Sequence, residues 1–146
     1  MRVTPRSDRG FVLISAMLIM FMLAGFLGLM TDTANLQLAR QRTQTAADVA
    51  AVAAWHELQR GNTAGMLKAA ENDAARNGVR SGDSAQLEIH CPPVAGDFAA
   101  NPGAVEASIV AQSPTTFMRI FGQSAVTVRA RAVAIAGRTG SATLGE

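Results

Sequence analysis

Two histidines and one cysteine are the side chains of this sequence that could support a metal site or an activated nucleophile. His90 and Cys91 are adjacent, and His56 lies far upstream. Adjacent residues on a strand point to opposite faces, and no second cysteine or histidine lies at a ligand spacing. A glycine-rich phosphate loop and a serine elbow are also missing from the sequence. We therefore expect no catalytic, cofactor-binding or metal-binding residue.

Four polar side chains are candidates for protein contacts rather than for chemistry. Asp32 is the first charged residue after a long apolar run, where its carboxylate could pair with a basic group of a partner, although a charge at such a boundary is also ordinary. Arg42, Gln44 and Asp48 lie within an alanine-rich segment and could contact a partner subunit. The alternative for Asp48 is an ordinary surface charge, four residues from Gln44 and from Val52 on one helix, worth about 0.2–0.5 kcal/mol.

The element that must position these residues is the uncharged stretch of residues 10–31. As a helix, the run from Phe11 to Met30 would extend about 30 Å, which is the thickness of a bilayer's hydrocarbon core. We therefore expect a transmembrane helix over residues 11–31. A cleaved signal peptide typically has about 7–15 apolar residues, and a buried core helix would need more partners than so small a chain offers. Both alternatives fit the run less well.

The excess positive charge lies at the N-terminal end. Residues 1–10 hold three arginines and one aspartate, whereas residues 32–146 hold ten basic and ten acidic side chains. Basic residues beside one end of a span mark its cytoplasmic side. We expect a cytoplasmic leader over residues 1–10 and an exported domain over residues 32–136. The charge gives no indication of nucleic-acid binding, because its excess is confined to the leader.

Small residues within the span indicate where a second helix could approach. Ala24 and Gly28 are four residues apart and form a small-xxx-small pair, which lets two membrane helices pack closely. A homo-oligomer formed through this face of the transmembrane helix is one expectation, although such pairs are common in membrane helices.

The sequence beyond the span predicts two helices and three strands. The alanine-rich segment continues without proline to Gly61, so we expect one helix over about residues 11–60. A second helix should follow over about residues 62–77, capped by Asn62 or Thr63 and closed by a glycine.

Alternation of apolar and polar residues predicts the strands. Their apolar positions are Leu87, Ile89 and Cys91; Val105, Ala107, Ile109 and Ala111; and Val126, Val128, Ala130, Ala132 and Ala134. Between the last two strands, Phe117, Ile120 and Phe121 lie on one side of a capped helical turn. The predicted fold is α+β, with a long N-terminal transmembrane helix that continues into a small helix-plus-three-stranded antiparallel sheet domain. The outer half of the helix should cover the sheet.

Two further expectations concern local features. Residues 137–146 have almost nothing to bury and should form a disordered tail. Cys91 is the single cysteine, so an internal disulfide is excluded. Its thiol could pair with that of a second chain, but burial is the default expectation.

Several motifs follow one another along the chain in an informative order. A glycine-led apolar span ends in an acid and is followed by an Arg-x-Gln-x-Ala-Ala-Asp block from Arg42 to Asp48. Three later segments continue the series: Asn101–Glu106, Phe117–Gly122 and Val126–Ala132. The order of these motifs resembles that of the TadE/TadG-like proteins of tight-adherence (Flp) pilus assembly, from about Arg9 to Ala136.

The resemblance implies a minor pilin or pseudopilin in the bacterial inner membrane, with the bilayer and other pilus-assembly or pilin subunits as partners. Leaders of this kind are processed after a glycine that precedes a hydrophobic residue, which here is the Gly10–Phe11 junction. The archetypal pilin has glutamate at the fifth mature position, where this chain has Ser15. This departure argues against the role of main, polymerised pilin and leaves processing open.

The sequence therefore favours a non-enzymatic assembly component that acts through helix packing and lateral protein contacts. An envelope-anchored binding or adhesion module, independent of a pilus, is the alternative hypothesis. An exported enzyme is a third and weaker hypothesis, because few polar residues converge in the sequence.

Overall fold

The computed structural model describes residues 9–82 and 84–136. Two expectations lie outside the described residues: most of the basic leader, at residues 1–8, and the tail at residues 137–146. Along the described chain, a long helix and a short helix precede three strands. This order confirms the predicted α+β fold.

The first element is a single helix, α1 (Arg9–Gln59). At 1.5 Å per residue, its 51 residues extend about 77 Å. The helix is uninterrupted because the segment holds no proline and is rich in good helix formers. It ends before Gly61, whose φ of 75° is a left-handed conformation that glycine adopts without steric cost. The Asn62 N–H then donates to the Glu57 carbonyl at 2.9 Å and closes the last turn.

The two halves of α1 have different surroundings. In the first half, the large apolar side chains between Phe11 and Met30 are exposed, and none of the most apolar 18-residue stretch is buried. By length and composition, this helix could cross a membrane. In the second half, one face of the helix is covered by the rest of the domain.

A tight connection folds the chain back along α1. Asn62 accepts a hydrogen bond from the Gly65 N–H at 3.2 Å and so caps a 3₁₀ turn (Thr63–Gly65). The short helix α2 (Met66–Arg76) follows, and Gly78 lies just beyond its end with a φ of 86°. The buried side chains of α2 share a helical spacing and pack in the core: Met66, Ala70 and Ala74.

The three strands form one antiparallel sheet in the order β1 (Ala85–His90), β2 (Ala104–Pro114) and β3 (Ala125–Ile135). In this register Leu87 faces Ile109, and Ile109 faces Ala130 on the other side. These three buried residues lie on one face of the sheet, as the alternation predicted.

The core lies where the second half of α1 packs against both the sheet and α2. The fully buried side chains that α1 contributes are all small: Ala46, Ala47, Ala50, Ala51 and Ala54. The largest fully buried side chains, Ile109 and Val105, belong to β2. Because alanine projects little beyond the backbone, the helix can lie close to the sheet.

The connection between β2 and β3 contains a second 3₁₀ turn (Met118–Phe121). We refer to this turn together with the preceding Phe117 as the aromatic turn. It lies next to α1 at the end of the apolar half, where its first amides bind Asp32.

Candidate functional site at the end of the apolar helix

One buried carboxylate joins the aromatic turn to α1. Asp32, the first charged residue after the apolar run, is only 5 % exposed. Its Oδ1 accepts a hydrogen bond from the Thr116 N–H (2.8 Å), and its Oδ2 accepts from the N–H groups of Phe117 (2.9 Å) and Met118 (2.7 Å). Amide groups at the start of a helical turn have no partner within that turn. The carboxylate therefore caps the turn and fixes its height along α1.

The sequence predicts that Asp32 either pairs with a basic group of a partner or is an ordinary charge at the end of the span. In the structure, its acceptors are instead satisfied by three amide donors from a segment more than 80 residues away in the chain. Hydrogen bonds to an ionised acceptor are roughly twice as strong as those between neutral groups.

A contact between Phe117 and Gly28 lies one turn below this carboxylate. A Cβ added to Gly28 would lie 2.5 Å from Phe117 Cγ and 2.8 Å from Phe117 Cε2. No larger residue fits at Gly28 unless the ring moves. Gly28, which the sequence predicts to pack against a second helix, is therefore covered by an aromatic ring of the same chain.

The other sequence-derived positions in the apolar half lie on its exposed surface. Gly10 and Phe11 are at the N-terminal end of α1, and Phe11 is exposed. Ala24 is also exposed, and a Cβ at the neighbouring Gly25 would meet nothing within 4 Å. The small surface around Ala24 thus remains accessible, whereas Gly28 is covered by Phe117.

The three polar residues of the alanine-rich block have different roles in the structure. Arg42 and Asp48 are exposed on α1. The Gln44 side-chain amide donates to Asp48 Oδ1 (2.9 Å) and to the Arg131 carbonyl (3.2 Å). Gln44 therefore ties α1 to the edge strand β3, while the two charged groups face outward, where a partner could reach them.

A second buried carboxylate, Glu106, was not anticipated from the sequence. It is 5 % exposed and accepts hydrogen bonds from the Arg131 guanidinium (Nη2 to Oε2, 3.0 Å) and from the Val94 N–H (2.9 Å). Arg131 also donates to the Ala95 carbonyl. These contacts hold the loop between β1 and β2 over the outer face of the sheet.

The pKa of Glu106 is lowered, chiefly by the hydrogen bond from Arg131, while burial opposes the shift and the Val94 N–H reinforces it. The same hydrogen bond raises the pKa of Arg131. Both side chains lie on the face of the sheet opposite the core, which in an antiparallel sheet is commonly solvated. No periodic pattern in the sequence indicates that a loop folds over that face.

The expectation that Cys91 is buried was wrong. The strand β1 ends at His90, so Cys91 begins the following loop, where its side chain is exposed. His90 lies 3.6 Å from a Glu88 carboxylate oxygen, and the His56 ring packs against Trp55 with 5.3 Å between centroids. Within residues 9–82 and 84–136, no three His, Cys, Asp or Glu side chains are grouped as a metal ion would require.

The helical part of the chain matches a known family. Residues 10–72 match the family model Tad, described as "Putative Flp pilus-assembly TadE/G-like". The matched residues include the apolar half of α1 with Asp32, the Arg42–Asp48 block and most of α2, whereas the sheet and the aromatic turn lie beyond them. No curated protein and no solved structure matches the chain. The match confirms the TadE/G-like resemblance over these residues and supports a role in Tad pilus assembly.

Replacing Asp32 with alanine should release the aromatic turn from α1. Three amides would lose a charged acceptor, so hydrogen exchange at residues 116–118 should become about tenfold faster or more. Exchange is measured by mass spectrometry on the full chain in mild detergent. Asp48→Ala, which removes an exposed carboxylate from the same helix, should leave these amides unchanged. Equal exchange in the wild type and Asp32→Ala would contradict the assigned role.

The lowered pKa of Glu106 predicts an acid-dependent loss of stability. A group whose folded pKa is depressed stabilises the fold above its unfolded pKa, so this contribution is present at neutral pH. It is lost as the pH falls below about 4.3, the ordinary pKa of glutamate. Glu106→Gln should lower Tm at pH 7 by roughly 4–8 °C, which corresponds to about 1 kcal/mol, and the difference from wild type should shrink toward pH 3.

The control for this comparison is Glu88→Gln, which alters an exposed glutamate on the neighbouring strand. His90 faces Glu106 across the two strands and lies 3.6 Å from Glu88, so both substitutions remove a carboxylate beside the same histidine. A Tm difference between Glu106→Gln and wild type that stays constant from pH 7 to pH 3 would show that ionised Glu106 does not stabilise the fold.

Proposed function

We propose that this TadE/G-like chain is a membrane-anchored, minor pilin-like component of Tad (Flp) pilus assembly. It acts through helix packing and lateral protein contacts rather than through catalysis. The observation that carries this proposal is the division of α1 into an apolar half with exposed side chains and an alanine-faced half that packs on its own small domain. The family match covers both halves.

The anchoring follows from the surroundings of the first half of α1. Large apolar side chains that no part of the described chain covers need lipid or other helices around them. We propose that residues 1–10 form a cytoplasmic leader, that residues 11–31 span the inner membrane and that residues 32–136 are exported. The arginines of the leader support this orientation.

Two surfaces of α1 are available for neighbouring subunits. In the membrane, the small surface around Ala24 and Gly25 is open, and a second copy of the helix could pack there. Outside the membrane, Arg42 and Asp48 present charges of opposite sign to a partner. Ser15 stands where the archetypal pilin has a glutamate, which supports a minor rather than a main subunit.

The orientation can be tested with the single cysteine of the chain. Cys91 is exposed on the domain, so a membrane-impermeant maleimide should label it in reduced spheroplasts without detergent. A variant that combines Cys91→Ser with Ser7→Cys moves the thiol into the leader and should be labelled only after permeabilisation. The reverse pattern would place the domain in the cytoplasm. A Ser7→Cys protein that is never labelled, even in detergent, would show that the leader is removed.

The assembly role can be tested by disturbing the outer charged surface. Arg42→Glu and Asp48→Lys should each reduce copurification of other pilus-assembly proteins in mild detergent by about threefold, because an exposed charge pair contributes only about 0.2–1 kcal/mol. Asp97→Lys makes the same charge change as Asp48→Lys on an exposed loop and should copurify like wild type. Recovery of wild-type monomer alone, together with intact pili in a deletion strain, would refute the assembly role.

A further inference from the structure

Two large apolar side chains of the aromatic turn have no covering within the described chain. Ile120 is 74 % exposed and Phe121 is 75 % exposed. We propose that the aromatic turn inserts into the surface of the bilayer that α1 spans. Ile120 and Phe121 would then contact the parts of the acyl chains that lie closest to the headgroups. The inference rests on the proposed membrane anchoring and adds a second, non-helical contact between the exported domain and lipid.

The height of the turn along α1 supports lipid as the occupant. Asp32 binds the first amides of the turn, and Phe117 packs on Gly28. Gly28 lies about 6 Å below Asp32 along the helix axis, at 1.5 Å per residue. The turn therefore lies beside the last residues of the apolar run, where Leu27 and Met30 are themselves exposed. Its apolar side chains are continuous with the surface that the span presents to lipid.

The backbone of the turn is suited to a poorly hydrated environment. Irregular backbone is tolerated near the hydrocarbon only where its polar groups are satisfied internally. The N–H groups of residues 116–118 donate to Asp32, that of Ile120 to the Phe117 carbonyl (3.0 Å), and that of Gly122 to the Arg119 carbonyl (3.1 Å). These five donors have acceptors within the protein and need no water at the interface, and the Arg119 N–H is not among them.

The side-chain chemistry of the turn also fits a membrane interface. The Phe121 ring packs against Phe117, with 5.9 Å between ring centroids, so the two rings form one apolar patch. Arg119 is exposed on the same turn, and its long side chain can keep its charge among the headgroup phosphates while the apolar residues enter the lipid. Val94 is also apolar and 69 % exposed, but it belongs to the loop after β1, away from the turn.

A fluorescent probe can measure the depth of the turn in the full-length protein. In a Cys91→Ser background, single cysteines replace Phe121, Leu27 or Val94 and carry an environment-sensitive dye in lipid nanodiscs. Spin-labelled lipids and aqueous iodide then serve as quenchers. The Phe121→Cys probe should be quenched by lipid labels near the headgroups and shielded from iodide at least about threefold relative to the Val94→Cys probe. The Leu27→Cys probe reports the span itself.

The outcomes separate this inference from the anchoring on which it rests. If lipid labels do not quench the Leu27→Cys probe, the membrane anchoring fails. If lipid quenches Leu27→Cys while Phe121→Cys responds to iodide as strongly as Val94→Cys, the anchoring stands and the insertion is wrong. If Phe121→Cys is shielded from both quenchers, protein covers the turn, as a second copy of the chain would, and the lipid assignment is overturned.

An unlabelled protein provides a check that does not alter the turn. Wild-type protein in nanodiscs with a lipid that carries a photoreactive group near the headgroup is irradiated and digested with trypsin. The proposal predicts adducts on Ile120 or Phe121, in the peptide that begins after Arg119. Adducts confined to the α1 peptide would contradict it.

Discussion

The carboxylate of Asp32 is the contact on which the position of the domain depends. It is the first charge after the apolar run, and it is buried where the polar part of the chain begins. A buried carboxylate needs several donors, and here Thr116, Phe117 and Met118 supply their amides. Because the Asp32 carboxylate needs these donors, it joins the start of the polar half of α1 to the connection between β2 and β3.

This contact matters because the rest of the helix–sheet interface is built from small side chains. A row of buried alanines lets α1 approach the sheet closely, but such short side chains interdigitate little and resist sliding weakly. Polar contacts set the position of α1 along the sheet instead. The Gln44 amide donates to the Arg131 carbonyl, and the Trp55 indole N–H donates to the Gly103 carbonyl at 3.2 Å. Together with Asp32, they fix the helix at three heights.

The helices, strands and turn could be predicted from the sequence because each has a local signature. Helix formers without proline predicted α1, alternation predicted the antiparallel strands, and Asn62 marked the start of the second helical segment. The site itself was predicted only as single residues. The contact of Asp32 with Thr116 joins residues 84 positions apart, and no periodic pattern in the sequence predicts such a contact. Cys91 was mispredicted because the alternation ran one residue past the end of β1.

In the proposed arrangement, anchoring limits where partners can meet this chain. Arg42 lies ten residues beyond Asp32, which is about 15 Å along the axis of a helix. Neighbours anchored in the same bilayer would present their own stalks at a similar height, and confinement raises the effective concentration of each surface for the others. Weak surface charges such as Arg42 and Asp48 can then contribute to assembly, although each would contribute little between free proteins in solution. The Asp32 contact makes this possible, because it holds the domain at a defined height above the apolar half.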